Sequence, residues 1–546
     1  MKNIKYIFYT LLSASVLITS CDSEDDLIDE RLAENPIVDP NYNPGSLDIS
    51  NYVAVGNSLS AGFADAALFP QGQMFSFPNI IGEQLQKSGG NAFVYPDITS
   101  GNGFGGLDDD GMPEGRSFIS LEIALAALAG DPDAELGDAI QNSSGTALNT
   151  SSTTGSSLNN FGVPGARVID LGVNGYGAAN PFYGAFQSSA SASILEDAVS
   201  ANGTLFSLWI GSNDVLGYAT SGGVKGEAFN PTDPQTITDA ATFQAAYSAA
   251  LDALTANGAE GVVLNVPPVT IIPFFQIVTQ LGGGINLIPL TEQAQVDALN
   301  GAYAAYNGAL DAAAAGAFGP NFTITAQEAA FRKITWQLGA NPPVLMDESL
   351  TDLSLVDPAL VNMRQAQVDP TTGATDLFPL TALAVIGTEA VPGVVESTIG
   401  TGVPIEDQYT LTLDEQVNVI TAYATFNGII AAEVAARPNV HMVDVGPLFA
   451  DIFGLSPAQA AGLALSTDAQ AAADGSLGID INGFNMVPLS LSQEELFNSI
   501  WSTDGVHPNA RGAAIVANEI IKKLNSTFNA NIPTVNPLDY PGINAL

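Results

Sequence analysis

Short, wholly apolar runs closed by glycine alternate along this chain with longer segments whose apolar residues return every three or four positions. Tyr52-Val53-Ala54-Val55 ends at Gly56, and Thr204 to Ile210 ends at Gly211. Each reads as a short strand buried on both faces. Phe243, Tyr247, Leu251 and Leu254 fall at helical spacing before a stop at Asn257-Gly258,. Gly261 to Val266 reads as the next strand. Leu411 to Ala436 reads as a long helix leading into the strand-like run Val440 to Val445. Arg511 to Leu524 is a helix with one apolar face. Strands alternating with helices predict an α/β fold with a parallel sheet covered on both sides. In such sheets ligands bind beyond the carboxyl ends of the strands. Two predicted strands end in Gly56-Asn57-Ser58 and Gly211-Ser212-Asn213, so a site is expected there.

Between these elements lie stretches rich in Gly, Ser, Asn, Thr and Pro, near 64–158, 268–405 and 452–498. They read as insertions on one scaffold spanning 47–530, since none carries a convincing core pattern of its own. A 16-residue tail, 531–546, follows. One internal echo stands out: Ala302-Tyr303-Ala304-Ala305-Tyr306-Asn307-Gly308 resembles Ala422-Tyr423-Ala424-Thr425-Phe426-Asn427-Gly428. It is a weak hint of duplication, because Ala-rich helices match readily.

Composition narrows the picture. With 46% hydrophobic and 13% charged residues, the chain is not a disordered one. Fourteen Lys+Arg against 57 Asp+Glu make a surface that repels phosphate backbones, so nucleic-acid binding is not expected. Such a charge serves solubility. Asp108-Asp109-Asp110-Gly111 does not fit a calcium loop, because the first and twelfth positions would be Gly106 and Ser117, where Asp and Glu belong,.

Cys21 stands alone, so neither a disulfide within the chain nor a Cys-based metal site is available,. Met1 to Lys5 carries two lysines, Tyr6 to Thr19 is mostly apolar, and Ser20-Cys21 follows. Residues 1–20 therefore read as a signal peptide, too short for a membrane span. No other segment reads as a bilayer span. Ile18-Thr19-Ser20-Cys21 resembles the lipobox of bacterial lipoproteins. The resemblance implies an acylated Cys21, a flexible anchored tether over 21–46, and membrane attachment through the lipid alone. The alternative is an ordinary cleaved signal with a free thiol. The acidic run Asp22-Ser23-Glu24-Asp25-Asp26 resembles the surface-export signal of Bacteroidetes lipoproteins, implying the outer membrane or cell surface of a Gram-negative bacterium.

Serine attack on an ester needs a base, a group that orients the base, and donors for the developing oxyanion. The chain holds two histidines. His441 sits inside a strand-like run, and Asp444, three positions on, would point to the opposite face; a packed or edge-facing strand histidine accounts for it. His507 sits in Asp504-Gly505-Val506-His507-Pro508, where Gly and Pro indicate a turn that lets positions i and i+3 converge. Asp504 could then bond one ring nitrogen and leave the other free. Gly56-Asn57-Ser58-Leu59-Ser60 follows a strand but is not the Gly-x-Ser-x-Gly elbow. Asn160-Phe161-Gly162-Val163-Pro164-Gly165 offers a glycine turn with a free backbone N–H, and Gly211-Ser212-Asn213-Asp214 a side-chain amide at a strand end. Taken singly, loop punctuation and helix caps would explain each.

Together and in this order, these four blocks resemble the SGNH (GDSL-type) hydrolase superfamily, in patches from about residue 50 to 525. The resemblance implies a flavodoxin-like three-layer parallel sheet with long insertions. It implies Ser58 as nucleophile, His507 as base and Asp504 as its partner, with the N–H groups of Ser58 and Gly165 and the amide of Asn213 as oxyanion donors. Asn57 departs from the family's Asp, at a position outside the triad. The gaps from Ser58 to Gly165 and from Asn213 to Asp504 are longer than in compact members of the superfamily, so insertions are expected to build part of the pocket. An esterase or lipase acting on lipid or acyl esters is expected, with no metal and no cofactor. The uncharged stretch 261–291, with Ile271-Ile272-Pro273-Phe274-Phe275, would seat an acyl chain if it borders the site, or else pack as core. A carbohydrate O-acetyl esterase is the alternative. A surface lipoprotein that binds without catalysis is a third reading.

Overall fold

The apolar runs line up side by side. In the computed structural model, Tyr52–Gly56 (β1) pairs in parallel with Asn160–Gly162 (β2) on one side and Leu205–Trp209 (β3) on the other. Strand β3 pairs with Glu260–Leu264 (β4), and β4 with Val440–Val443 (β5), again in parallel. The sheet order is therefore β2-β1-β3-β4-β5, the flavodoxin-like order of doubly wound sheets, whose switch point lies between β1 and β3. Every residue of β1, β2 and β3 is buried, as a parallel sheet with both faces covered requires. The structure describes residues 41–120, 138, 140–226, 228–281, 284–371, 373–452 and 499–543. Cys21 and the residues around it lie outside these, as do 453–498. The described residues from Pro44 onward form one compact body.

The helices that matter to the site are Ser58–Ala61 (α1), Phe77–Lys87 (α2), Ile194–Ser200 (α3), Asn213–Thr220 (α4), Ala240–Thr255 (α5), Gln293–Ala314 (α6), Leu413–Ala435 (α7) and Ala510–Phe528 (α8). Helix α5 packs against both α3 and α7, while α2 packs against α8. Right-handed crossovers between parallel strands place these two groups on opposite faces of the sheet. Phe243, Tyr247, Leu251 and Leu254 are all buried on α5, on the face that their spacing predicts. By length and composition α7 could cross a membrane, contrary to the expectation that no segment past the signal would. Here it is a core helix, with Val419, Tyr423, Phe426 and Ile430 buried in the main cluster.

Two parts of the structure differ from the sequence reading. The stretch 64–158 contains α2, which belongs to the covering layers of the sheet and packs on α8. The stretch 268–405 has a core of its own, where Leu299, Leu310, Ile334, Val344 and Leu353 are buried together. Helix α6 supplies much of that core, with Val296, Leu299, Tyr303, Tyr306 and Leu310 on its inner side. Alanines dilute the apolar pattern there, which hides it along the sequence.

Candidate active site

Strand β1 ends at Gly56, and the chain turns into the one-turn helix α1, which presents Ser58 beyond the carboxyl edge of the sheet. Asn57 caps that helix, its Oδ1 accepting the Leu59 N–H at 3.0 Å. A cap needs only an acceptor oxygen at this position, which explains why Asn serves where an Asp was expected. Gly56 is obligatory for packing: a Cβ there would fall 2.4 Å from the Trp209 carbonyl oxygen.

His507 arrives from the far end of the chain, on a turn just before α8. Its Nε2 lies 2.9 Å from Ser58 Oγ, and its Nδ1 lies 3.0 Å from Asp504 Oδ2. The turn between the two depends on Gly505 at φ +68, the left-handed region in which glycine carries no Cβ penalty. A Cβ at Gly505 would also sit 2.8 Å from the Phe274 nitrogen. The Phe63 ring packs beside the imidazole, with centroids 4.9 Å apart.

Asp504 is surrounded by donors. Oδ2 accepts the Ala66 N–H as well as the imidazole; Oδ1 accepts Ser502 Oγ and the N–H groups of Val506 and His507. Burial alone would raise its pKa, but the His507 charge and the hydrogen bonds from His507 and Ala66 outweigh that and hold the carboxyl down at about 2,. It is thus a fixed anion that selects the imidazole tautomer with a proton on Nδ1, leaving Nε2 to accept from Ser58.

Sequence reasoning missed the groups behind Asp504. Ala66 and Asp65 both adopt positive φ, 59° and 51°, a conformation that strains non-glycine residues. It places the Ala66 N–H on Asp504, while Asp65 Oδ1 receives the N–H and Oγ1 of Thr503. Asp65 is itself bonded by Arg116 at 2.7 Å. A backbone N–H carries no residue-type signal, so nothing in the sequence could have revealed Ala66. Asp65 and Arg116 lie 51 positions apart, too far for a local motif.

The three donors expected for an oxyanion lie on three turns. The N–H of Ser58, at the start of α1, and that of Gly165, at φ +80, have no hydrogen-bond partner among the described residues. The Gly165 turn is pinned to β1 by the Val163 N–H on the Gly56 carbonyl at 3.0 Å. Asn213, first residue of α4, donates one amide hydrogen to the Ala166 carbonyl at 2.9 Å, leaving its second free. Asp214 is fully buried, with Oδ2 on the Val168 N–H, so it braces the segment after Gly165; burial raises it to about 7. Ser58, Asn213 and His507 line one cavity together, whereas Gly165 is not among its lining residues.

That cavity, about 690 Å³ counting its open mouth, is walled by Leu59, Trp209, Leu216, Val269, Ile272 and Ile515 among others. The uncharged stretch divides between the two roles considered for it. Ile272 lines the cavity, while Phe275 and Val278 are buried in the core. His441 behaves as a strand histidine, its Nε2 3.3 Å from Glu260 Oε2 on the neighbouring strand. Compared with known proteins, the chain matches no family model, no curated protein and no solved structure.

Proposed function

We propose that this protein is a serine ester hydrolase of the SGNH type, and that Ser58, His507 and Asp504 are its triad. The observation that carries the reading is the unbroken line from Asp504 Oδ2 through the imidazole to Ser58 Oγ, with both links at hydrogen-bond length. The flavodoxin-like strand order, with Ser58 following β1 at the switch point, supports the fold side of the assignment,.

In the mechanism, Nε2 takes the Ser58 proton as Oγ attacks the ester carbonyl, and the oxyanion is met by the N–H groups of Ser58 and Gly165 and the free amide hydrogen of Asn213. His507 then passes that proton to the leaving alcohol, and a water activated by the same nitrogen releases the acyl group. The reaction needs the neutral imidazole, so the rate should fall once the medium is acidic enough to protonate it. The apolar wall beside Ser58 favours an acyl chain over an acetyl group as the acid part of the substrate. Export and acylation at Cys21 belong to the same proposal; a Cys21→Ser variant should leave the membrane fraction.

The test is hydrolysis of nitrophenyl esters from acetate to palmitate by the purified protein and its Ser58→Ala variant. Turnover that disappears with Ser58 and rises with chain length supports the reading. Activity confined to acetate would turn it toward acetylated carbohydrates. No Ser58-dependent turnover on any ester would leave a binding protein.

A further inference from the structure

Three carboxylates from separate parts of the chain meet about the first turn of α7. Glu348 follows the strand Val344–Met346 in the 268–405 stretch, Asp407 lies on the segment that leads into α7, and Glu415 stands in that helix's first turn. One oxygen from each lies within 4.8 Å of the others. Two oxygens on one calcium ion at about 2.4 Å can be no farther apart than about 4.8 Å, so this spacing admits that ion.

A second observation concerns what surrounds them. Glu415 is 4% exposed. Its Oε2 is occupied by the N–H and Oγ1 of Thr412, but Oε1 is buried with no hydrogen-bond partner, and so is Asp407 Oδ1. Buried carboxylate oxygens without donors are costly unless a cation meets them or the acid takes up a proton. Arg364 is committed elsewhere, to Asp347 and Asp376, and no ion pair among the described residues reaches the three acids. The backbone leaves room beside Oε1: Gly223, at φ +69, would carry a Cβ only 2.3 Å from that atom.

We propose that Glu348, Asp407 and Glu415 bind a calcium ion, which ties the 268–405 stretch to the start of α7. The three carboxylates supply hard oxygen ligands of net charge −3, and water completes the shell. Gly222 and Gly223 follow the last turn of α4, the helix that begins with Asn213, so the ion also braces the far end of that helix.

The test is calcium titration by calorimetry into chelator-stripped protein, with unfolding midpoints measured at fixed ionic strength so that screening of the acidic surface is held constant. One calcium per chain should bind and raise the midpoint by about 3 °C or more. Glu415→Gln and Glu348→Gln should each weaken binding at least tenfold and abolish the shift. Glu348 is exposed, so its variant folds and the result is readable even if the Glu415 variant is unstable. Asp108→Asn, in the acidic turn rejected as a calcium loop, should change nothing. Absence of binding up to about 10 mM calcium, or binding that survives Glu348→Gln unchanged, would overturn the proposal.

Discussion

Asp504 and Glu415 are both buried carboxylates, and the fold treats them in opposite ways. Asp504 receives five hydrogen bonds, three of them from backbone N–H groups, and stays ionised with a pKa of about 2. At Glu415 and Asp407, burial first and then the Glu348 carboxylate push the acids upward. Between them in character lies Arg364, one guanidinium clamping Asp347 and Asp376 in the interior. Burial therefore does not set the charge of an acid by itself; the donors within reach do. Where an anion sits against the His507 imidazole, the chain brings backbone N–H groups from residue 66 and from the turn 506–507. Where Glu348, Asp407 and Glu415 gather, only Glu415 Oε2 has donors, from Thr412, and the proposed calcium ion would meet the oxygens that have none.

The sharpest way to break this contrast is to remove the charge at Asp504 while keeping its shape. In Asp504→Asn the amide would present an N–H to His507 Nδ1, which can then only accept. The proton moves to Nε2 and blocks it as a base. Esterase turnover should drop about 10⁴-fold with the fold intact, measured on the best nitrophenyl ester and checked by an unchanged far-ultraviolet spectrum. A next-smaller effect is expected at the compensated pair. Arg364→Met strands Asp347 and Asp376 without their cation and should cost about 3–5 kcal/mol of stability in denaturant unfolding. A loss under about 1 kcal/mol would mean that water or protons can replace the guanidinium. Asn213→Ala removes the donor proposed to meet the oxyanion and leaves the triad untouched. It should lower kcat by about 10²–10³ with little change in KM, separating the oxyanion donors from the support of Asp504.

How much of this was legible in the sequence depended on whether the signal was local. Asp504 and His507 are three residues apart on one turn, so their partnership could be read directly. The strands Tyr52–Gly56, Leu205–Trp209 and Glu260–Leu264 announced themselves as apolar runs. Strand β2 did not: Asn160-Phe161-Gly162 holds one apolar side chain, and along the sequence it reads as a turn. It is fastened by polar groups, such as Asn159 Nδ2 on the Tyr52 carbonyl at 2.8 Å. The acid trio spans positions 348 to 415 with no spacing rule to connect them. The echo between residues 302–308 and 422–428 has a physical counterpart. Asn307 and Asn427 each clamp a backbone segment with both amide groups, on Ile334 and Val266 respectively. That use of a helical Asn was visible as a repeated letter but not as a hydrogen-bond pattern.

The smallest of the expected effects tests the donors around Asp504 directly, through acid stability. An unperturbed Asp titrates near 3.9, and Asp504 in the folded protein at about 2. A group whose folded value lies below its unfolded one stabilises the fold above the unfolded value, and that stability disappears as pH falls through the folded value. The carboxylate should therefore contribute about 2–3 kcal/mol at neutral pH, lost between about pH 4 and pH 2. Asp504→Asn cannot titrate, so the difference in unfolding free energy between the native protein and this variant isolates the contribution from the chain's other acids. Measured by urea unfolding in steps from pH 6 downward, that difference should hold steady to about pH 4 and shrink below it. A difference that stays flat down to about pH 2 would mean that the five donors do not favour the anion, and the contrast with Glu415 would then rest on geometry alone.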